Sequence, residues 1–210
     1  MCGRFALVNP TPNFGPADIS ALQNLPSQYN IAPGQSIHLL IQNNNQKIQL
    51  VSKPWGIKMK FSNSPSEKLV INARSETVGQ KPMFSRFYAN KRCVIVATGF
   101  YEWDKQHNPY YFFDTHSKVL GFAGIYNKEA VILTKPASES FRVIHHRMPV
   151  IIDPSSIENW LSSTTSLERL SNILKNTPTI LQHHPVPTLV NSPSNNTSMC
   201  IEPITDQLFT

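Results

Sequence analysis

At 210 residues with a 40% apolar share, the chain can bury a core as one domain and is too apolar for disorder. Nineteen Lys and Arg against thirteen Asp and Glu leave a formal charge of +6 with no basic run longer than Lys91-Arg92, which suits a polyanion held in a groove rather than on a basic tail. Cys2, Cys93 and Cys200 lack the even count and spacing of a disulfide scaffold, and no segment reads as a secretory leader or approaches the ~20 apolar residues of a membrane span; a cytoplasmic protein with free thiols and no membrane association is expected.

Taken in chain order, residues 17–25 have helical apolar spacing. Residues 37–41 and 48–52 read as a hairpin around the polar turn Asn43-Asn44-Asn45. Short β-branched or aromatic runs bounded by Gly, Pro or Asn predict further strands at 69–71, 93–97, 110–113, 119–125, 130–134 and 149–152. Helices are predicted at 154–161, starting at Asp153 before Pro154, and at 166–175, starting at Ser166. Seventeen prolines argue against long helices. The fold class is therefore α+β: a single domain over 1–210, with a mostly antiparallel, barrel-like β core and a few short helices. Residues 191–199 read as a polar loop, with the last apolar residues docking back on the sheet.

Four segments carry candidate chemistry. Once Met1 is removed, Cys2 offers an α-amine beside its own thiol, with reference pKa values of ~7.7–8.0 and ~8.5. The amine condenses with aldehydes and the thiol can close a five-membered thiazolidine; an ordinary buried or frayed cysteine is the other reading. In the stretch 70–77 a strand would deliver Asn72 and Arg74 to one side, the amide toward the Cys2 amine and the guanidinium toward a phosphate. Glu102, between Tyr101 and Trp103, would have its pKa raised by aromatic desolvation into a general acid/base range, unless it is simply exposed on an edge strand. In 144–149, a histidine would shuttle protons near neutral pH, and Arg147 would pair with phosphate or with Glu102. The pair His145-His146 would face opposite ways on a strand, with no third ligand nearby, so no metal site is expected. The pair His183-His184 reads as a surface loop or packing feature.

In order along the chain, these segments resemble the SOS response-associated peptidase (SRAP) family of abasic-site-processing proteins. The resemblance rests on MCGRF at the start, YNIAPG at 29–34, WG at 55–56, NARSET at 72–77, RCVIVATGFYEW at 92–103, HHRMPVII at 145–152, and HPV with a later Val190-Asn191. It implies a curved β core with a basic cleft for single-stranded DNA, and a Cys2 that links covalently to the aldehyde of an abasic site as a thiazolidine. It further implies that Asn72 orients the Cys2 amine, that Glu102 moves protons during condensation and Met1 removal, and that His145 assists sugar ring opening. Arg4 and Arg74 would hold phosphates, with Arg147 as a further DNA contact. Two departures stand out. Where the family often has a tryptophan after WG, this chain reads Ile57-Lys58-Met59-Lys60-Phe61, leaving Phe61 as the base-stacking candidate, and where it often has Asp after the histidine this chain has His146. A monomer without cofactor is expected, involved in DNA damage response and the SOS response. The rival readings are an N-terminal-nucleophile amidotransferase, a cysteine peptidase using Cys2, His145 and Asn72, and a noncatalytic DNA-binding module.

Overall fold

The structure is a computed structural model that describes residues 2–10, 14, 20–60, 66–176 and 181–204. Its strands are β1 (Arg4–Leu7), β2 (Gln28–Ile31), β3 (Ser36–Gln42), β4 (Ile48–Pro54), β5 (Ile57–Lys60), β6 (Glu67–Val70), β7 (Asn72–Arg74), β8 (Arg92–Ala97), β9 (Gly99–Trp103), β10 (Pro109–Phe113), β11 (Leu120–Tyr126), β12 (Ala130–Pro136), β13 (Arg147–Pro149) and β14 (Gln182–Pro185). The helices are α1 (Pro82–Asn90), α2 (Glu139–Arg142), α3 (Ile157–Leu161) and α4 (Leu167–Lys175).

Two main sheets result. The first runs β14-β10-β9-β1-β2; the second runs β13-β12-β11-β8-β3-β4, with β7 laid parallel along β12. The β5–β6 hairpin forms a sheet of its own. The α+β class with antiparallel pairing dominant is as expected. The two continuous apolar runs, β8 and β11, are paired in the middle of the second sheet and buried at nearly every position. By contrast β4, at that sheet's edge, is only partly buried. The β3–β4 turn is built by Asn43, whose Oδ1 accepts the backbone N–H of Asn45 and of Lys47.

The main core lies between the sheets. Phe5 of β1 packs edge-on against Phe122 of β11, and Phe100 of β9 does the same while stacking on Phe112 of β10. Such pairs add ~0.5–1.5 kcal/mol each beyond the area they bury. The outer face of the first sheet is buried too, under a smaller cluster of Ala6, Tyr101, Tyr111, Val186, Val190 and Cys200. Burial on both faces forces close approach: a Cβ at Gly99 would meet the Tyr111 ring at 2.3 Å. Gly56 serves differently, at φ +107°, turning the chain from Trp55 into β5.

Several predicted elements differ from those observed. The apolar run 69–71 is divided, its first residues ending β6 and β7 beginning just after it. Residues 20–24 form a 3-10 turn rather than a helix, and residues 17–19 lie outside the described residues, as do the last apolar residues of the chain. The 154–161 segment starts as a 3-10 turn capped by Asp153 before becoming α3, and Ser166 caps α4 by accepting the Arg169 N–H. The helix α1 escaped prediction; its end and that of α3 are tied together by buried Arg92, which donates to the carbonyls of Tyr88, Ala89, Trp160 and Ser162. The His183-His184 pair is part of β14: His183 stacks on Phe112 and His184 bonds the Ile201 carbonyl.

Candidate active site at the chain start

Four side chains from separate parts of the chain converge where β1 begins. In the β1–β9 register Arg4 lies opposite Tyr101, so one step back along β1 comes level with Glu102. Cys2 is fully buried, and its Sγ faces the Arg4 carbonyl at 4.0 Å. Asn72, at the head of β7, donates its side-chain amide to the Cys2 carbonyl at 2.9 Å. The Oδ1 of Asn72 is buried without a hydrogen-bond partner among the described residues. His145 brings Nδ1 to 3.9 Å from Oε1 of Glu102.

The electrostatics follow from burial. Glu102 is only 2% exposed, and desolvation pushes its pKa up to about 7. The flanking aromatics are not the cause, because alternation along β9 sends Tyr101 and Trp103 to the outer cluster. Glu102 instead shares the face of Phe100, toward the main core. Burial also pushes the Cys2 thiol well up, and the Glu102 charge adds to this. A thiolate is therefore scarce near neutral pH, unlike the reference thiol assumed from sequence. The His145 pKa is lowered, chiefly by desolvation. Together the four residues hold a buried nucleophile, an amide on its carbonyl, and two proton carriers, of which Glu102 is pushed up to about 7 and His145 is lowered.

The chain matches a known family over most of its length: the family model described as SOS response associated peptidase (SRAP) covers residues 1–193. The chain belongs to the SRAP family. It is 34% identical over 227 residues to the abasic site processing protein YoqW of Bacillus subtilis, covering 96% of this chain and 99% of that protein. It is also 25% identical over 226 residues to the abasic site processing protein YedK of Escherichia coli, covering 97% of this chain and 100% of that protein. Among solved structures, a protein from Bacteroides thetaiotaomicron superposes with a TM-score of 0.69 at 20% identity, over 94% of this chain and 93% of that one, a likeness of fold.

Within this SRAP fold the arginines divide. Arg74 is exposed at the end of β7, two residues from Asn72. Arg4 points into the outer cluster, where Nη1 donates to Oδ1 of Asn30 and to the Val190 carbonyl, both at 2.7 Å. Arg147 is likewise committed, bidentate to Glu76 and bonded to the carbonyl and hydroxyl of Thr134. Its carboxylate partner is thus Glu76 and not Glu102. The pair His145-His146 is not on a strand but in the turn before β13, with the rings in tilted contact at 4.4 Å. No group of three potential metal ligands occurs among the described residues. Phe61 lies outside the described residues.

Sequence reading missed Asn30 and Glu76. Asn30 binds three backbone carbonyls of the segment 190–195 as well as Arg4, which joins the segments YNIAPG, Val190-Asn191 and MCGRF in space. Asn191 closes the same network by accepting the Trp103 indole N–H at 2.8 Å. Glu76 was visible inside NARSET, but nothing local links it to a residue 71 positions later. No helix among the described residues is long and apolar enough to cross a membrane.

Proposed function

We propose that this chain processes abasic sites in single-stranded DNA by joining Cys2, once Met1 is removed, to the sugar aldehyde as a thiazolidine. The observation that carries this reading is the approach of Asn72 and Glu102 to Cys2, with His145 behind Glu102, in a family whose relatives are named abasic site processing proteins. In this reading the chain acts as a monomer and needs no cofactor.

The chemistry takes two bonds in sequence. The Cys2 amine adds to the aldehyde carbon, and loss of water leaves an imine that becomes cationic on protonation. The thiol then adds to the same carbon, its proton leaving through Glu102, and the nitrogen keeps its own, so aldehyde plus aminothiol becomes thiazolidine plus water. Burial keeps the thiol protonated until the iminium charge forms three bonds away and makes thiolate favourable. A glutaminase would instead need its thiolate from the start. With a pKa of about 7, Glu102 can take and return protons at each step. The same carrier would serve hydrolysis of the Met1–Cys2 bond, in which water adds to the Met1 carbonyl and the new Cys2 amine takes a proton. The 3.9 Å approach to Glu102 suits His145 to relay protons during sugar ring opening. Arg74, exposed beyond Asn72, is the phosphate contact.

The test is incubation with single-stranded DNA containing one abasic site, followed by a denaturing gel. A shifted band that needs both the aldehyde and Cys2 is expected. Equal yields from the unmutated protein and Cys2→Ala overturn the reading.

A further inference from the structure

His145 is not carried by a regular element, for it follows α2 in the turn that leads into β13. Val143 nearby is 75% exposed, and His146 is exposed as well. The His145 ring rests on the backbone of Arg147, with Nδ1 at 2.9 Å from the carbonyl oxygen and 3.1 Å from the amide nitrogen. A neutral imidazole can use only one of these at a time. Accepting the Arg147 N–H leaves the proton on Nε2, whereas donating to the carbonyl leaves Nε2 free to accept. The placement of the residue 147 backbone thus bears on which tautomer His145 takes, and with it on which ring nitrogen carries the proton.

That backbone is at the first position of β13, paired to Pro136 at the end of β12. Its side chain anchors it. Arg147 donates two parallel bonds to the Glu76 carboxylate and reaches the Thr134 carbonyl at 2.6 Å and its hydroxyl at 3.2 Å. Bidentate geometry fixes orientation as well as distance. Glu76 is itself fixed by the turn after β7, where the Ser75 N–H bonds the same Thr134 carbonyl at 2.9 Å. The clamp thus joins the strand that carries Asn72 to the strand entry that carries His145.

We propose that Glu76 is a positioning residue: acting through Arg147, it fixes the backbone against which His145 takes its tautomer and its distance from Glu102. This rests on the assignment of His145 to proton transfer. Arg147 holds the Glu76 carboxyl down to about 2, so Glu76 stays ionised near neutral pH. Any change that a Glu76 variant brings to the pH behaviour of the site, which His145, Glu102, His146 and Arg147 face, then comes from the altered placement of these groups and not from titration of Glu76 itself.

Two measurements separate this proposal from the function on which it rests. The first needs no DNA: nitrogen-detected NMR of the His145 ring in the full chain, unmutated, Glu76→Gln and Glu76→Asp. Glu76→Gln should alter the Nδ1–H to Nε2–H ratio and move the His145 midpoint by at least about half a pH unit. Glu76→Asp, which keeps the charge, should fall between. The Glu76 side chain is 42% exposed and Gln is nearly its shape, so folding is expected to survive and the NMR spectrum itself reports it. The second is the adduct rate: Glu76→Gln slows it about tenfold, and adding Glu76→Gln to His145→Ala slows it no further. A His145 ring unchanged in tautomer and midpoint in both Glu76 variants, or additive losses in the double variant, overturns the proposal. If the unmutated protein forms no adduct at all, the function fails while the ring measurement still decides the positioning.

Discussion

Asn72 donates its side-chain amide to the carbonyl of Cys2 at 2.9 Å, across 70 positions of sequence. The bond ties the free end of β1 to β7 and so limits where the Cys2 amine can point. Asn72→Ala should leave the fold intact, since the side chain is only partly buried, while slowing adduct formation by roughly 10-fold through lost orientation. Affinity for intact single strands should be unchanged. Adduct formation at the unmutated rate would show that the amide merely satisfies a carbonyl.

The two arginines expected to grip DNA should separate in their effects. Arg4 is 9% exposed and bonded to Asn30 and Val190, so Arg4→Ala should cost about 2–3 kcal/mol and lower Tm by roughly 5–10 °C. Arg74→Ala should leave Tm within a degree or so, weaken intact and abasic strands alike, and flatten the salt dependence by roughly 0.7 of a log unit. Thermal melts and binding isotherms over a salt series check both. An Arg4→Ala protein with unchanged Tm and a reduced salt slope would return Arg4 to the DNA.

That contrast marks what the sequence makes legible. Residue type marks Cys2, Asn72, Glu102 and His145 as candidate chemical groups, but only the order of the motifs around them along the chain, and not local patterning, gathers the four into one candidate site. Which way a side chain turns is a tertiary matter. Arg4 and Arg74 look alike in sequence, yet one meets the segment after β14 and the other meets solvent. Glu102 has its pKa raised by burial as expected, but by the sheet face it shares with Phe100 and not by the aromatics beside it. The fold class was readable from β-branched runs; the four-residue strands β1, β2, β5 and β14 were not, since their pairing comes from distant partners.

Glu102 should also govern stability as a function of pH. An unfolded glutamate titrates near ~4.3, whereas the folded one titrates at about 7. Below the first value both states are protonated and burial of Glu102 carries no charge penalty. Between the two, the unfolded chain releases a proton that the folded chain retains, so stability falls as pH rises and levels off above about 7. Glu102→Gln removes this penalty. The variant should therefore gain on the unmutated protein by up to about 3 kcal/mol between pH 4 and pH 8, while forming adduct ~10²-fold more slowly. A stability difference that does not change with pH would mean that Glu102 is compensated in the folded state.

The last prediction separates the two nucleophiles of Cys2. In the proposed reaction, burial and the Glu102 charge hold its thiol well above the usual range, which favours attack by the amine first, with the thiol closing the ring afterwards. Cys2→Ala, with Met1 removed, keeps the amine and loses the thiol. It should still form an imine with abasic single strands, captured as a stable band when borohydride is present, because reduction turns the C=N bond into an amine that cannot hydrolyse. Without reductant that band should be lost on denaturation, whereas the unmutated protein should give it in both conditions. Asn72→Ala combined with Cys2→Ala should lower the borohydride-trapped yield further, since the amide acts on the amine step. Mass spectrometry of the N-terminus confirms that each protein has lost Met1 before comparison. Failure of Cys2→Ala to give any trapped band, with its amine shown to be free, would mean that the thiol attacks first despite its burial, through a movement that opens the chain start to solvent.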